Sequence, residues 1–430
     1  MASGEATTAK PRAELGTFAS LRVRDFRLLL IGTTLSNAAQ WIQQVTLGWL
    51  VYDITASGTI LGTINLVRSV ATLGLAPLSG VAIDSFPRRT LILVVNAWLL
   101  VISLILGITL LSGPARLWYL FAFTFLGGVA QAIDLPLRQT VVFSLVPRAL
   151  APNAVALIQT GWAVMRSLGP GIGGFLILWF GAGGNFLIQA AAYALIAVNT
   201  LRIAFPPGPP RSGRASARGN LAEGLRHVAR ERTTRAFVLL GWVLPLFIIP
   251  NFAALPPIYA KVVFGGGPET LGSLLSAVGV GGIGGGIVTA SLGKVERRGL
   301  LQLVALLILS ASLIGFALTT VLWVAVPLLA AAGFFEMIYL TTNQTLLQLS
   351  IPEALRGRVT AVVSLNAGLS PLGGLVAGVG ADFVGPQAMT IALCGIAALI
   401  ALATLACSPT VRDYRLSRAL ATDGTAETRS

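Results

Sequence analysis

Apolar residues in this chain come in long unbroken runs. Bounded by charges or by Pro/Gly clusters, they fall at about 27–51, 58–83, 90–112, 117–143, 153–181, 184–204, 236–260, 269–292, 300–320, 322–348, 359–381 and 386–407. Each matches or exceeds the roughly 20 residues that carry a helix across a bilayer. Only helices or closed barrels satisfy every backbone polar group in lipid, and these runs are too long and continuous for barrel strands. The pattern predicts an all-α membrane protein with twelve transmembrane helices.

The polar segments between the runs set orientation, because cytoplasmic loops carry the Lys/Arg excess. With the N-terminus inside, the inner segments hold Lys10, Arg12, Arg22, Arg24, Arg27, Arg88, Arg89, Arg148, seven arginines between 211 and 235, then Lys294, Arg297, Arg298, Arg356 and Arg358. The outer loops hold Arg116 and Lys261. Both termini are therefore expected in the cytoplasm, with the chain in the cell (inner or plasma) membrane. It divides into an N-terminal tail 1–25, a six-helix bundle 26–204, a basic linker 205–235, a second bundle 236–408 and a C-terminal tail 409–430. Residues 219–232 of the linker read either as a short amphipathic surface helix or as a solvated basic stretch. The first 25 residues lack the apolar core of a cleaved signal.

The halves repeat weakly. Arg88-Arg89-x-Leu91 recurs as Arg297-Arg298-x-Leu300, 209 residues on, and Gln139-Thr140 as Gln344-Thr345, 205 on. At that same offset Val146-Pro147 recurs as Ile351-Pro352. Six runs separate each feature from its copy, so both copies share a sidedness. The expectation is two pseudo-symmetric six-helix bundles related by an axis along the membrane normal, with a substrate site between them near mid-membrane.

Composition supports lipid as the main solvent: 55% of the 430 residues are hydrophobic and 11% charged, too few charges for a soluble surface of this size. The net charge of +14 would suggest nucleic acid in a soluble protein. Here it is the inside bias of the loops, with some attraction to anionic lipid, and no nucleic-acid partner is expected. Cys394 and Cys407 sit thirteen residues apart in one run, about 20 Å along a helix and beyond disulfide reach. His227 is the single histidine, and no metal-ligand spacing occurs. Gly279-Val280-Gly281-Gly282-Ile283-Gly284 spells a dinucleotide fingerprint inside an apolar run with no preceding strand, so it reads as close helix packing. No phosphate-binding loop for ATP is present. No cofactor is expected, and transport would draw on an ion gradient or on the substrate's own.

Ionisable groups inside a membrane are costly and face a cavity or a partner. Away from the ends of the runs these are Arg68, Asp134, Arg138, Arg166 and Glu336. Gln131, Asp134 and Arg138 share one helical face. At the 205-residue offset they align with Glu336, Tyr339 and Asn343, so two matching polar stripes are expected on opposite sides of a central cavity. Glu336 lies about fourteen residues into its run, near the midplane, and is the first candidate for proton coupling. Asp134, deeper toward the cytoplasm, is the second; with Arg138 it reads equally well as a structural ion pair. Arg68 and Arg166 would balance these acids or attract an anionic substrate group. Asn37, Gln40, Trp41 and Gln44 share a face that suits hydrogen bonding and stacking with a substrate or, equally, interhelical contacts, and Asn366 is read the same way.

The polar break Gly80-Val-Ala-Ile-Asp84-Ser-Phe-Pro-Arg88-Arg89 resembles the loop G-x-x-x-D-[RK]-x-G-R-[RK] of the major facilitator superfamily. Gly80, Asp84, Arg88 and Arg89 match; Ser85 stands for the usual base and Pro87 for the usual glycine. Gly169-Pro170-x-x-Gly173-Gly174 is similar to the G-P-x-x-G-G signature of its antiporters, and generic close packing is the other reading of those glycines. Asp25-Phe26-Arg27, Gly48-Trp49-Leu50-Val51-Tyr52, Pro136-x-Arg138-Gln139 and Asn153-Ala-Val-Ala-Leu157 resemble the bacterial exporter branch that includes the enterobactin exporter and macrolide efflux proteins. The resemblance implies the major facilitator fold, alternating access and proton-coupled export. It also implies a gating loop in which Asp84 meets the helix after residue 359, and Arg88 or Arg89 the base of the helix ending near 143. The expected function is efflux of a small amphipathic molecule, a siderophore-like metabolite or a drug, by a monomer in the lipid bilayer. The alternatives are uptake, uncoupled facilitation, or a non-transporting membrane sensor, and no enzyme chemistry is expected.

Overall fold

The computed structural model describes residues 18–205, 226, 228–291, 296–351, 355, 359 and 366–414. Those residues form α1 (Arg24–Thr55), α2 (Gly58–Ser85), α3 (Arg88–Ser112), α4 (Leu117–Leu145), α5 (Ala151–Leu201), α6 (Arg232–Val263), α7 (Pro268–Ser291), α8 (Arg298–Leu318), α9 (Leu322–Leu349), α10 (Asn366–Val384) and α11 (Pro386–Cys407). Among the described residues, nine helices are long and apolar enough to cross a membrane. α1 is outside that set because Asn37, Gln40, Gln43 and Gln44 interrupt its apolar run. Most of the linker lies outside the described residues; of the amphipathic stretch anticipated at 219–232, residues 219–225 and 227 do, while 226 and 228–230 are helical.

Breaks follow local chemistry. Inside α5, Gly181 has φ +67° and ψ 175°, a conformation closed to residues with a side chain, so the helix turns there. In α6, Pro245, Pro250, Pro256 and Pro257 withhold backbone donors, and the helix passes through wider π-type turns at Leu244–Ile248 and Tyr259–Val263. α6 begins at Arg232, earlier than the apolar run suggests, because Glu231 accepts from the Thr233 N–H and starts the helix within the basic segment. The chain after α11 packs on the bundle: Tyr414 stacks edge-on against Phe237, with ring centroids 5.3 Å apart.

Successive helices run antiparallel, so the bundle has two ends. The near end holds the start of α1 and the α2–α3 turn; the far end holds the α1–α2 turn and Gly385. α1 and α3 pack on α5 and α2 packs on α4, while α7 and α8 pack on α9 and α8 on α11. The two groups meet along α5–α7 and α2–α10. Both seams rest on glycine. A Cβ at Gly279 of α7 would stand 2.9 Å from the Arg166 carbonyl oxygen, and one at Gly58 of α2 would stand 2.5 Å from that of Gly378. Backbone can therefore approach backbone, which matters where lipid removes the hydrophobic drive between helices.

The outer surface is apolar where water would demand charge: Val101, Ile105 and Ile108 of α3 and Leu399 and Leu402 of α11 are exposed. Trp118, Trp179, Trp323 and Phe383, all at the far end, are exposed too, as an aromatic belt at a lipid–water boundary would be.

Candidate functional site

α1 supplies the amide-rich face of the interior, and α4 and α5 close on it. A cavity of about 310 Å³ is lined by Asn37 and Gln40 of α1, Asp134, Arg138 and Phe143 of α4, and Trp162 of α5, among others. Beside it a space of about 100 Å³ is lined by Gln40, Trp41, Gln44, Arg68, Gln131, Asp134 and Trp162, among others. Gln40, Asp134 and Trp162 border both. The face read from α1 is thus assembled around one polar interior, with Gln131 Nε2 donating to Gln40 Oε1 at 3.4 Å.

Two ion pairs organise the charges. Arg138 Nε donates to Asp134 Oδ2 at 2.8 Å across one helical turn, both side chains are buried, and Arg138 also reaches Asn96 Oδ1 of α3 at 3.4 Å. Asp134 Oδ1 is buried without a partner among the described residues. The second pair crosses between the helix groups: Arg166 Nη2 of α5 donates to Glu336 Oε1 and Oε2 of α9 at 2.8 and 2.7 Å. The Glu336 side chain is 2% exposed and that of Arg166 15%. The Arg166 guanidinium also lies 5.6 Å from the Trp162 ring centroid, a cation–π arrangement. Trp162 in turn faces Trp41, with ring centroids 6.4 Å apart.

The stripe on α9 divides. Glu336 faces α5, whereas the Tyr339 hydroxyl donates to the Leu240 carbonyl at 2.6 Å and Asn343 Nδ2 to that of Phe237 at 3.2 Å. Tyr339 and Asn343 line a separate gap of about 40 Å³ against α6, rather than the second wall of a shared cavity. Their polar atoms satisfy backbone carbonyls of α6. Gly169, Pro170, Gly173 and Gly174 are buried; Gly169 packs on Trp41 and Gly173 on Ile42 of α1, and Gly174 on Pro268 at the start of α7. The predicted gating loop 80–89 is mostly helical: Gly80 to Ser85 end α2, Arg88 and Arg89 begin α3, and Phe86 and Pro87 alone join them; a Cβ at Gly80 would meet nothing within 4 Å. Arg89 donates to the Leu201 carbonyl at 2.7 Å, the end of α5 and not the base of α4. Arg88 is half-buried. The side chains of Asp84 and Asn366 lie outside the described residues.

Sequence reading missed the far-end seam. Asp382 of α10 accepts from Ser57 Oγ at 2.9 Å, Gly58 N at 2.6 Å, Thr59 N at 2.9 Å and Thr59 Oγ1 at 2.7 Å, capping the first turn of α2 from the other helix group. Lys261 of α6 pairs with Asp53 of α1. Charges in the last turn of a span look like ordinary loop residues, so only the fold reveals that they meet. Trp162 was missed as one more aromatic residue in an apolar run.

Residues 15–420 match the family described as "Transmembrane secretion effector". The staphyloferrin A transporter of Staphylococcus aureus is 25% identical over 352 residues, 80% of this chain and 86% of that protein. The multidrug efflux pump Tap of Mycobacterium tuberculosis is 28% identical over 387 residues, 85% and 89% of the two chains. Among solved structures, a bacterial homolog of the human lysosomal transporter Spinster, inward-facing and unoccupied, superposes with a TM-score of 0.64 at 17% identity, covering 93% of this chain and 95% of that one.

Proposed function

The chain belongs to the transmembrane secretion effector family of the major facilitator superfamily, and on that premise we propose that it is a proton-coupled exporter of a small amphipathic molecule. Counting α5 as two spans about Gly181 gives twelve crossings, six in each of two pseudo-symmetric bundles, at 26–204 and 236–408. The near end, with Arg24, Arg27, Arg88, Arg89, Arg232, Arg235, Arg297 and Arg298, faces the cytoplasm together with both termini; the far end carries Arg116 and Lys261. Among the described residues the seams between bundles gather toward the far end, and the cavity beside α4 and α5 lies on the near side of the Arg166–Glu336 pair.

The observation that carries the reading is the Arg166–Glu336 pair, deep in the membrane and shared between bundles. The Arg166 guanidinium and the Glu336 carboxylate attract each other across the two bundles. Protonation removes that attraction and frees Arg166, so a proton on Glu336 changes the contact between bundles. Substrate enters from the cytoplasm with the pair formed; on the outside, a proton arriving at Glu336 opens the pair and accompanies the return. Asp134, paired within its own helix and to α3, tunes the cavity. The amides of α1 and the Trp41–Trp162 pair receive an amphipathic body, consistent with relatives named for staphyloferrin A transport and for multidrug efflux. An uncoupled transporter in which the pair is a fixed strut is the competing reading, and the same strong pairing favours it.

Cells expressing the chain should accumulate less of at least one compound from a panel of metabolites and dyes, and a protonophore should abolish the difference. Export that is indifferent to the protonophore would favour the uncoupled reading.

A further inference from the structure

The mid-membrane charges do not balance. Arg68, Arg138 and Arg166 stand against Asp134 and Glu336. Each carboxylate is taken, by Arg138 and Arg166 respectively, which leaves Arg68. It lies ten residues into α2, about 15 Å from the far-end turn. It forms no ion pair among the described residues, and its Nη2 donates to Asn65 Oδ1 at 3.0 Å. A guanidinium offers five N–H donors, and an unneutralised cation at this depth is costly unless something brings the opposite charge.

Arg68 borders the smaller space with Gln40, Gln44, Gln131, Trp41 and Trp162. Asp134 also borders this space; its Oδ2 is paired with Arg138 at 2.8 Å and its Oδ1 has no partner among the described residues, so counting that pair as neutral still leaves Arg68 as one cation in excess. The adjoining cavity of about 310 Å³ has room for an apolar body against Phe143, Ile158 and Trp162. Amide donors from three glutamines beside one planar guanidinium suit a planar oxyanion, which Arg binds through its fork. We propose that this cavity takes an organic anion: a carboxylate held by Arg68, with Gln40, Gln44 and Gln131 around it, and an aromatic or aliphatic body in the larger space. The proposal rests on reading the cavity as the substrate site and names the class of substrate it selects.

The test is equilibrium dialysis of the purified full-length chain in a non-ionic detergent, with empty micelles as blank. The probes are 2-naphthoate and 2-naphthylmethylammonium, equal in ring system and opposite in charge. The wild type should bind naphthoate about tenfold or more tightly than the ammonium probe, the low end for a charged hydrogen bond. Arg68→Gln should lose that preference through weaker naphthoate binding, and Arg68→Lys should retain most of it. Equal or tighter binding of the ammonium probe, no naphthoate binding by wild type, or an unchanged preference in Arg68→Gln would each overturn the proposal. The wild-type comparison stands even if Arg68→Gln does not fold. No gradient is present, so the result is separate from coupling: an uncoupled transporter would still prefer the anion, and a proton-coupled exporter of cations would not.

Discussion

Replacing Asp382 with alanine should loosen the far end. Its carboxylate accepts from two backbone amides and two hydroxyls at the start of α2, at 2.6 to 2.9 Å, and so joins the bundles through a helix cap. Removing an N-cap costs about 0.5–2 kcal/mol. A charged acceptor belongs near the top of that range, and exposure to solvent lowers it. Taking about 1.5 kcal/mol, the ratio of far-open to far-closed molecules should rise roughly tenfold. The reporter is a cysteine at Leu375, whose Cα would lie 2.7 Å from a Cβ at Gly62 of α2, in a background with Cys394 and Cys407 changed to serine. Its rate of reaction with a membrane-impermeant maleimide follows the open population when opening is fast. Asp382→Ala should react about tenfold faster than the parent, and Asp382→Asn, which keeps one accepting oxygen, should fall between. Asp53→Asn breaks an exposed pair and should change the rate less than about fivefold. A rate for Asp382→Ala within twofold of the parent would refute the argument that the cap closes this seam.

Other substitutions probe other joints. Gly279→Leu should drive α5 from α7, because even a Cβ there meets the Arg166 carbonyl at 2.9 Å; a loss of about 1–3 kcal/mol should lower the thermal midpoint in detergent, and an unchanged midpoint would contradict the seam. Asp134→Asn should destabilise more, by about 3–5 kcal/mol, since Arg138 loses its buried partner, while gradient-driven transport in the surviving protein persists; loss of coupling at full stability would instead place the proton on Asp134. Trp162→Ala should weaken binding of an exported aromatic compound about three- to tenfold, with Trp162→Phe near wild type, and equal affinities for all three would remove the ring from the site.

The helices were legible because apolar runs bounded by charge and proline leave little else in lipid. Even the turn at Gly181 sits at the end of the run 153–181. Glu336 was legible as a deep acid, but the distance to Arg166, 170 residues away, is a matter of tertiary packing that periodicity cannot supply. The internal repeat aligned Tyr339 and Asn343 with Asp134 and Arg138; sharing a helical face with Glu336 does not mean sharing a cavity, because the α6 carbonyls of Leu240 and Phe237 claim both side chains. Asp382 and Lys261 were illegible for the opposite reason: charges at the end of a span are ordinary until a partner from the other bundle meets them.

The account turns on the acid that Arg166 holds. In proteoliposomes loaded with a compound identified by the export panel, an imposed proton gradient should drive transport by the wild type. Glu336→Gln should still exchange labelled for unlabelled compound and no longer respond to the gradient. Gradient-driven transport at wild-type level by Glu336→Gln would contradict the assignment of coupling to this pair.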